Sequence, residues 1–327
     1  MLNEGDFMTE NVLYNYYCSL LPKVPDWLKK YLDVPCLNRL KHVGYFCGMD
    51  YASKDIYDFN EKITRFDHSL STALITLKFT DKREVVLAAL FHDVATPCFS
   101  HVIDYMNKDY LNQESTEEYT DKIILNDKEL LKLLAVDGID PEDIINFKKY
   151  SLVDNDRPRL CADRFDGIIL TSIGWTKNIS SSDISELVND LKILVNEDGF
   201  EEMGFSNYNI ANKALYFSEE VDKLCHSNED NYMMNLLANI TKEAIDNNLI
   251  IYDDLYYLTE DDIWNILNTN DNVNLINNIY LFKNIIKSDV PLTDLGDIKI
   301  RDLNPLVNGI RLKDMNNLIE VFRWMMN

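Results

Sequence analysis

Phe91-His92-Asp93-Val94-Ala95-Thr96-Pro97-Cys98-Phe99-Ser100-His101 is the end of an apolar helix that runs into a histidine, an aspartate and a second histidine. Upstream, Val85 to Phe91 has no charge with which to solvate a face, so this segment is expected to be buried and to deliver His92 and Asp93 inside the protein. Pro97 forbids simple continuation of the helix, which places the pair at a break where side chains from several elements can converge. Two adjacent buried polar side chains need partners. Either they hydrogen-bond to each other and to the backbone, or they share a divalent cation with ligands brought from elsewhere in the chain.

Working outward, Arg65-Phe66-Asp67-His68 opens a helix expected to run to about Phe79, with Leu70, Ala73, Leu74 and Leu77 as its core stripe. Asp81 is placed to cap the following helix, which carries Val85 to Phe91. Phe99 to Met106 is expected to resume helically, with His101 and Asp104 about one turn apart. Cys36 to Val43 has the spacing of an amphipathic helix, with His42 off its stripe, and Tyr45 to Asn60 is read as a loop. A helix is expected over Glu114 to Leu125 with Ser115 or Thr116 as its cap, and Asp140-Pro141-Glu142 is a helix start.

A further helix beginning near Leu160 carries Asp163, Arg164 and Asp166, the two aspartates sharing a face. Long helical stretches follow at about 206–225 and 228–247, and Thr259 with Asp262 resembles a capping box. His226 closes the first of these, where contact with the helix dipole suffices to explain it. In the tail, Ile298-Lys299-Ile300 and Asn308-Gly309-Ile310-Arg311 suggest a hairpin, followed by a last helix from about Lys313.

The chain has 327 residues, enough for a sizeable core, and its 8 prolines and 10 glycines are few enough to favour helices joined by short polar loops. Its 55 acidic residues against 32 basic ones leave a net charge of -23, which argues against nucleic acid or an anionic membrane as partner. A small polyanion is still compatible, because a few arginines and a metal can override a distant field. Six cysteines without CxxC pairs read as free thiols in a reducing compartment. Met1 to Asn11 carries three acidic residues and no basic one, so no signal peptide is expected, nor any membrane span; the expected location is cytoplasmic.

Three segments together carry a resemblance: Arg65-Phe66-Asp67-His68-Ser69, then Leu90-Phe91-His92-Asp93 with Phe99-Ser100-His101, then Ala162-Asp163-Arg164-Phe165-Asp166. In this order they resemble the HD superfamily of metal-dependent phosphohydrolases, and within it the branch of deoxynucleoside triphosphate triphosphohydrolases. Cys36 to Val43 and Leu258 to Ile263 resemble further family elements, so the likeness spans most of residues 30 to 287. It implies an all-α HD-domain fold over 1–287, with a small C-terminal hairpin-plus-helix appendage over 288–327. The metal ligands implied are His68, His92, Asp93 and Asp163. This donor set suits Mn, Fe, Mg, Co or Ni better than a closed structural zinc site.

Arg65 and Arg164 match positions that hold substrate phosphate; the alternative is an ion pair with Asp67 or Asp166. The sequence departs from the branch pattern at Thr96 and Gln113, where histidines are expected. That leaves His101 and Asp104 as candidates for proton transfer, with Glu114 to orient them, and a supporting or purely packing role as the alternative for His101. The expected activity is hydrolysis of a nucleotide or related phosphate ester. The alternatives are a nucleotide-binding regulatory protein that keeps the metal cage but turns over poorly, and a structural helical interaction protein with a satisfied His-Asp pair. The resemblance also implies a homo-oligomer.

Overall fold

Thr64 begins the helix on which the rest is built. The computed structural model describes residues 11–20, 23–59, 61–113, 115, 117–293 and 296–317. After α1 (Val12–Leu20), α2 (Arg65–Leu77) starts from a capping box, Thr64 accepting from the Asp67 amide while the Asp67 carboxylate accepts from Thr64. Asp67 is thereby spent on the cap and is not the partner of Arg65. α3 (Arg83–Phe91) is buried from Val85 onward and packs along α2. Its N-cap is Lys82, without a side-chain cap bond, rather than the expected Asp81.

The chain then turns through residues 92–101 into α4 (Val102–Asn107). This helix starts later than expected because Phe99 (φ 66°) and Ser100 (φ 49°) are both left-handed, a conformation no helix interior accepts. The helix expected from Glu114 begins only at Thr120 and ends at Asn126; Glu114 and Thr116 lie outside the described residues. α5 (Ala162–Thr171) packs against α2 and against α7 (Tyr208–Cys225), and α8 (Asn228–Asp246) packs against α4 and α10 (Val273–Asn284). Between them lie α6 (Ser181–Asp190), which packs on α1 and α7, and α9 (Glu260–Asn268), whose Thr259–Asp262 capping box is present.

The architecture is all-α as expected, with one small sheet attached. β1 (Leu191–Val195) and β2 (Glu201–Phe205) pair antiparallel, Leu191 opposite Phe205. No strand is expected there from the sequence, since a five-residue strand that directly follows a helix shows too few repeats to reveal its period. β2 then pairs parallel with β3 (Leu306–Val307), which turns into β4 (Ile310–Arg311).

The terminal hairpin is therefore tighter than expected. Asn308 (φ 51°) and Gly309 (φ 89°) supply its left-handed turn, and residues 298–300 are not its first strand. Gly204 permits the β2–β3 contact, because a Cβ there would stand 2.6 Å from the Leu306 carbonyl oxygen. Residues 312–317 are helical. Among the described residues no helix is long and apolar enough to cross a membrane.

Phe91 is fully buried at the end of α3, edge-on to Tyr31 at 6.5 Å between ring centroids, directly before the two polar residues it helps to place. Phe91→Ala is expected to lower unfolding free energy by about 3–5 kcal/mol, read from the denaturant midpoint at constant slope. A loss below about 1 kcal/mol would mean that this ring does not organise the core.

Candidate metal centre

Three helices contribute to one point. His68 comes from the first turn of α2, His92 and Asp93 from the turn that ends α3, and Asp163 from the first turn of α5. Behind His68 stands Asp166, fully buried, whose Oδ2 accepts from His68 Nδ1 at 2.7 Å and whose Oδ1 accepts from the Tyr16 hydroxyl of α1. His92 Nδ1 donates to the Ala89 carbonyl at 2.8 Å. Each ring thus has Nδ1 occupied by an acceptor from its own fold, and Nε2 left for the site.

Those Nε2 atoms meet carboxylates. His68 Nε2 lies 2.9 Å from Asp163 Oδ1 and 3.8 Å from Asp93 Oδ2, and His92 Nε2 lies 3.5 Å from Asp163 Oδ1 and 3.9 Å from Asp93 Oδ1. His92 Nε2 is buried without a hydrogen-bond partner among the described residues. Ligands about 2.1 Å from a common ion stand roughly 3 Å apart when adjacent and about 4 Å apart when opposite, so His68, His92 and Asp163, whose ligand atoms lie within 4.8 Å of one another, fit a shared divalent cation, and Asp93 stands beside both histidines. Two imidazoles and a carboxylate leave coordination positions for a further carboxylate, water or substrate oxygen.

The electrostatics point the same way. Burial disfavours a charged imidazole, but the flanking carboxylates of Asp163 and Asp166 outweigh it and raise His68 to about 10. His92 is raised too, against burial, chiefly by the charge of Asp93. Against the same burial, the two imidazoles hold Asp163 well below the usual carboxylate range. A cluster that pulls protons onto its histidines is one that a divalent cation enters by displacing them.

The site opens into a cavity of about 490 Å³. Arg65 borders it and donates through Nη1 to Asp93 Oδ2 at 2.9 Å and through Nε to Ser100 Oγ at 3.1 Å, with its guanidinium over the Tyr45 ring. His101 also borders it, Nδ1 donating to Asp104 Oδ2 at 2.9 Å, while Asp104 Oδ1 accepts from the Ser115 amide at 3.0 Å. Burial, with help from Arg65 and Arg301, lowers the His101 pKa despite Asp104, so the ring is neutral near pH 7 with Nε2 as an acceptor.

Arg164 borders the cavity but is engaged elsewhere. Its Nη1 donates to Asn155 Oδ1 at 2.7 Å and to the Arg159 carbonyl, its Nη2 donates to the Asn155 carbonyl at 2.7 Å, and Asp154 lies at 3.6 Å. Neither arginine makes the expected alternative pair with Asp67 or Asp166. Glu114 lies outside the described residues. Thr96 is fully buried and does not border the cavity, whereas Gln113 does.

Sequence reasoning missed Asp166 as the support of His68, although its spacing from Asp163 put it on the right face. It also missed the clamp on the turn that sets His101. Arg39 donates to the carbonyls of Thr96 and Leu258, the Cys98 amide donates to Leu255, and the Phe99 amide donates to the buried Glu260 carboxylate at 3.2 Å.

Residues 65–167 match the HD domain family. Over 252 residues, 75% of this chain and 74% of the relative, the sequence is 24% identical to uncharacterized protein YdhJ of Bacillus subtilis. Over 132 residues, 40% of this chain and 37% of the relative, it is 26% identical to metal-dependent phosphohydrolase cns2 of Cordyceps militaris.

Asp166→Ala removes the acceptor that orients His68. Mn binding, titrated against a competing chelator dye, is expected to weaken by about 10–100-fold with the helical circular dichroism retained. Unchanged affinity would show that Asp166 does not orient a ligand.

Proposed function

We propose, from the match of residues 65–167 to the HD domain family, that this chain is a metal-dependent phosphohydrolase whose substrate is a nucleotide or a related phosphate ester. The observation that carries the reading is the convergence of His68, His92 and Asp163, with Asp93 beside both histidines, at the wall of a cavity that Arg65 and His101 also border. A bound divalent metal would supply Lewis acidity and an activated water.

The chain's own residues do the rest. His68, His92, Asp163 and the neighbouring Asp93 would hold the ion. Arg65, kept in place by Asp93 and Ser100, presents its remaining guanidinium edge to a phosphate oxygen. His101 Nε2 takes the proton of the water whose oxygen bonds to phosphorus. As an imidazolium stabilised by Asp104, it then returns that proton to the ester oxygen as the P–O bond breaks. Arg164 is better explained as the brace of the 154–159 loop than as a phosphate ligand.

Phe46, stacked on Phe59, and Trp175 border the same cavity and give part of its wall an aromatic, apolar character that suits a base, which supports a nucleotide. The net charge of -23 supports a small polyanion over nucleic acid. A regulatory protein with slow turnover is the second reading, favoured by Gln113, an amide that cannot shuttle protons, on the cavity wall.

Asp93→Ala is expected to abolish both metal content and turnover; hydrolysis that persists unchanged refutes the reading. His101→Ala should keep the metal while kcat falls by about 10²–10⁴-fold. A nucleotide panel with Mn, scoring phosphate, pyrophosphate and tripolyphosphate separately, identifies the scissile bond. Tight nucleotide binding with no product from any member supports the regulatory reading.

A further inference from the structure

Three of the lysines and arginines around the cavity have carboxylate partners. Arg65 pairs with Asp93, Arg164 lies 3.6 Å from Asp154, and Lys148 pairs with Glu117 at 2.7 Å. Arg157, Lys299 and Arg301 differ. They border the same cavity, yet among the described residues none has a carboxylate oxygen within 4.0 Å. Their side chains donate to neutral oxygens, Arg157 Nη1 to the Asp302 carbonyl at 3.3 Å, Lys299 Nζ to the Asn112 carbonyl at 2.7 Å and Arg301 Nη2 to the Gln113 Oε1 at 3.3 Å, and Arg301 also lies against the Cys225 thiol. Asp156 borders the cavity as well but pairs with none of them.

This arrangement is built by the backbone. The Lys299 amide donates to Tyr110 at 3.0 Å, the Arg301 amide to Asp222 Oδ1 at 2.8 Å, and the Asn304 amide to Pro158 at 2.8 Å. Leu303, Leu306 and Val307 are buried just beyond. Residues 299–304 are therefore pinned to the body by both main chain and core, and the cations they carry are aimed rather than free to leave.

Crowding like charges in a half-buried place is unfavourable. Burial and then Arg164 and Arg301 pull Arg157 down to about 10, and burial, Arg301 and Arg157 lower Lys299. Carboxylates act on these cations only from a distance, Asp163 on Arg157, Asp104 and Asp154 on Lys299 and Asp230 on Arg301, so a cavity with three cations that lack a paired carboxylate has room for an anion to meet them directly.

We propose that Arg157, Lys299 and Arg301 form a second anion subsite that holds a phosphate group of the substrate apart from the one at the metal centre. The proposal rests on the phosphohydrolase reading for the word substrate, but not for the binding of an anion. It selects compounds with more than one phosphate over monophosphate esters. It also gives the segment around 299–301, outside the matched 65–167, a part in the cavity's chemistry.

The test uses the full chain, metal-free and Mn-loaded, with tripolyphosphate as the binding probe and calorimetry as the readout. The variants are the double Lys299→Gln/Arg301→Gln, Lys299→Gln alone in case the double does not fold, and Lys287→Gln, on a surface lysine paired with Glu229, as control. The double variant is expected to bind tripolyphosphate at least about tenfold more weakly in both metal states, and Lys299→Gln about threefold or more. Lys287→Gln should match wild type. In turnover, the ratio of kcat/KM for a nucleoside triphosphate to that for its monophosphate should fall by about tenfold or more, with Mn content unchanged. Wild-type binding and an unchanged ratio in the variants would overturn the subsite. If wild type hydrolyses none of these compounds but loses tripolyphosphate affinity in the variants, the subsite stands and the phosphohydrolase reading falls.

Discussion

Asp166 stands behind His68, and the direction of that imidazole depends on it. A carboxylate at 2.7 Å from Nδ1 leaves Nε2 as the nitrogen that faces Asp163 and Asp93. Because Asp166 and Asp163 lie on one face of α5, the helix that carries the proposed ligand Asp163 also carries the support of the proposed ligand His68 opposite. α2 and α5 must then pack at a fixed register: sliding either by a turn would part both contacts at once. Tyr16 adds α1 to the same anchor, since its hydroxyl donates to the other oxygen of Asp166.

A second constraint is charge. The chain carries a net charge of -23, yet the wall of the cavity beside the candidate metal centre gathers arginines and lysines around a carboxylate-rich centre. Acidic ligands attract a cation, and basic residues further along the wall attract an anion. A metal-bound phosphate compound satisfies both, and neither group alone does. The low dielectric of the half-buried wall strengthens these attractions relative to the distant surface charge.

The turn between α3 and α4 shows how distant segments serve the site. Two successive left-handed residues, Phe99 and Ser100, would cost about 1–3 kcal/mol each in isolation. Arg39 from upstream and Leu255, Leu258 and Glu260 from far downstream hold the backbone there by hydrogen bonds. The result puts Ser100 Oγ on Arg65 and His101 on the cavity. It also accounts for Thr96, whose side chain is buried in the clamped part of the turn and away from the cavity.

How much could be read beforehand follows from the range of the forces involved. The helices of the 65–107 segment and the helix around Asp163 were legible in the sequence, because apolar periodicity and a proline break are local signals, whereas the expected Asp81 cap gave way to Lys82. The helical class and the candidates His68, His92, Asp93 and Asp163 came from the sequence and its family likeness, as did the prospect that His101 works with Asp104. The two extended segments at 191–195 and 201–205 were not legible, being too short to display a period and dependent on pairing with β3. Nor was the commitment of Arg164 to the 154–159 loop, or the arrival of Lys299 and Arg301 beside His101. The first depends on a non-helical loop five to nine residues away and the second on atoms that meet across more than a hundred residues, and in both hydrogen bonding and burial choose among partners that look equivalent in one dimension. The sequence by itself determined the helical body and the donor atoms fit for a divalent ion. Tertiary structure alone decided which cations around it lack a paired carboxylate, because pairing is settled by distance in space.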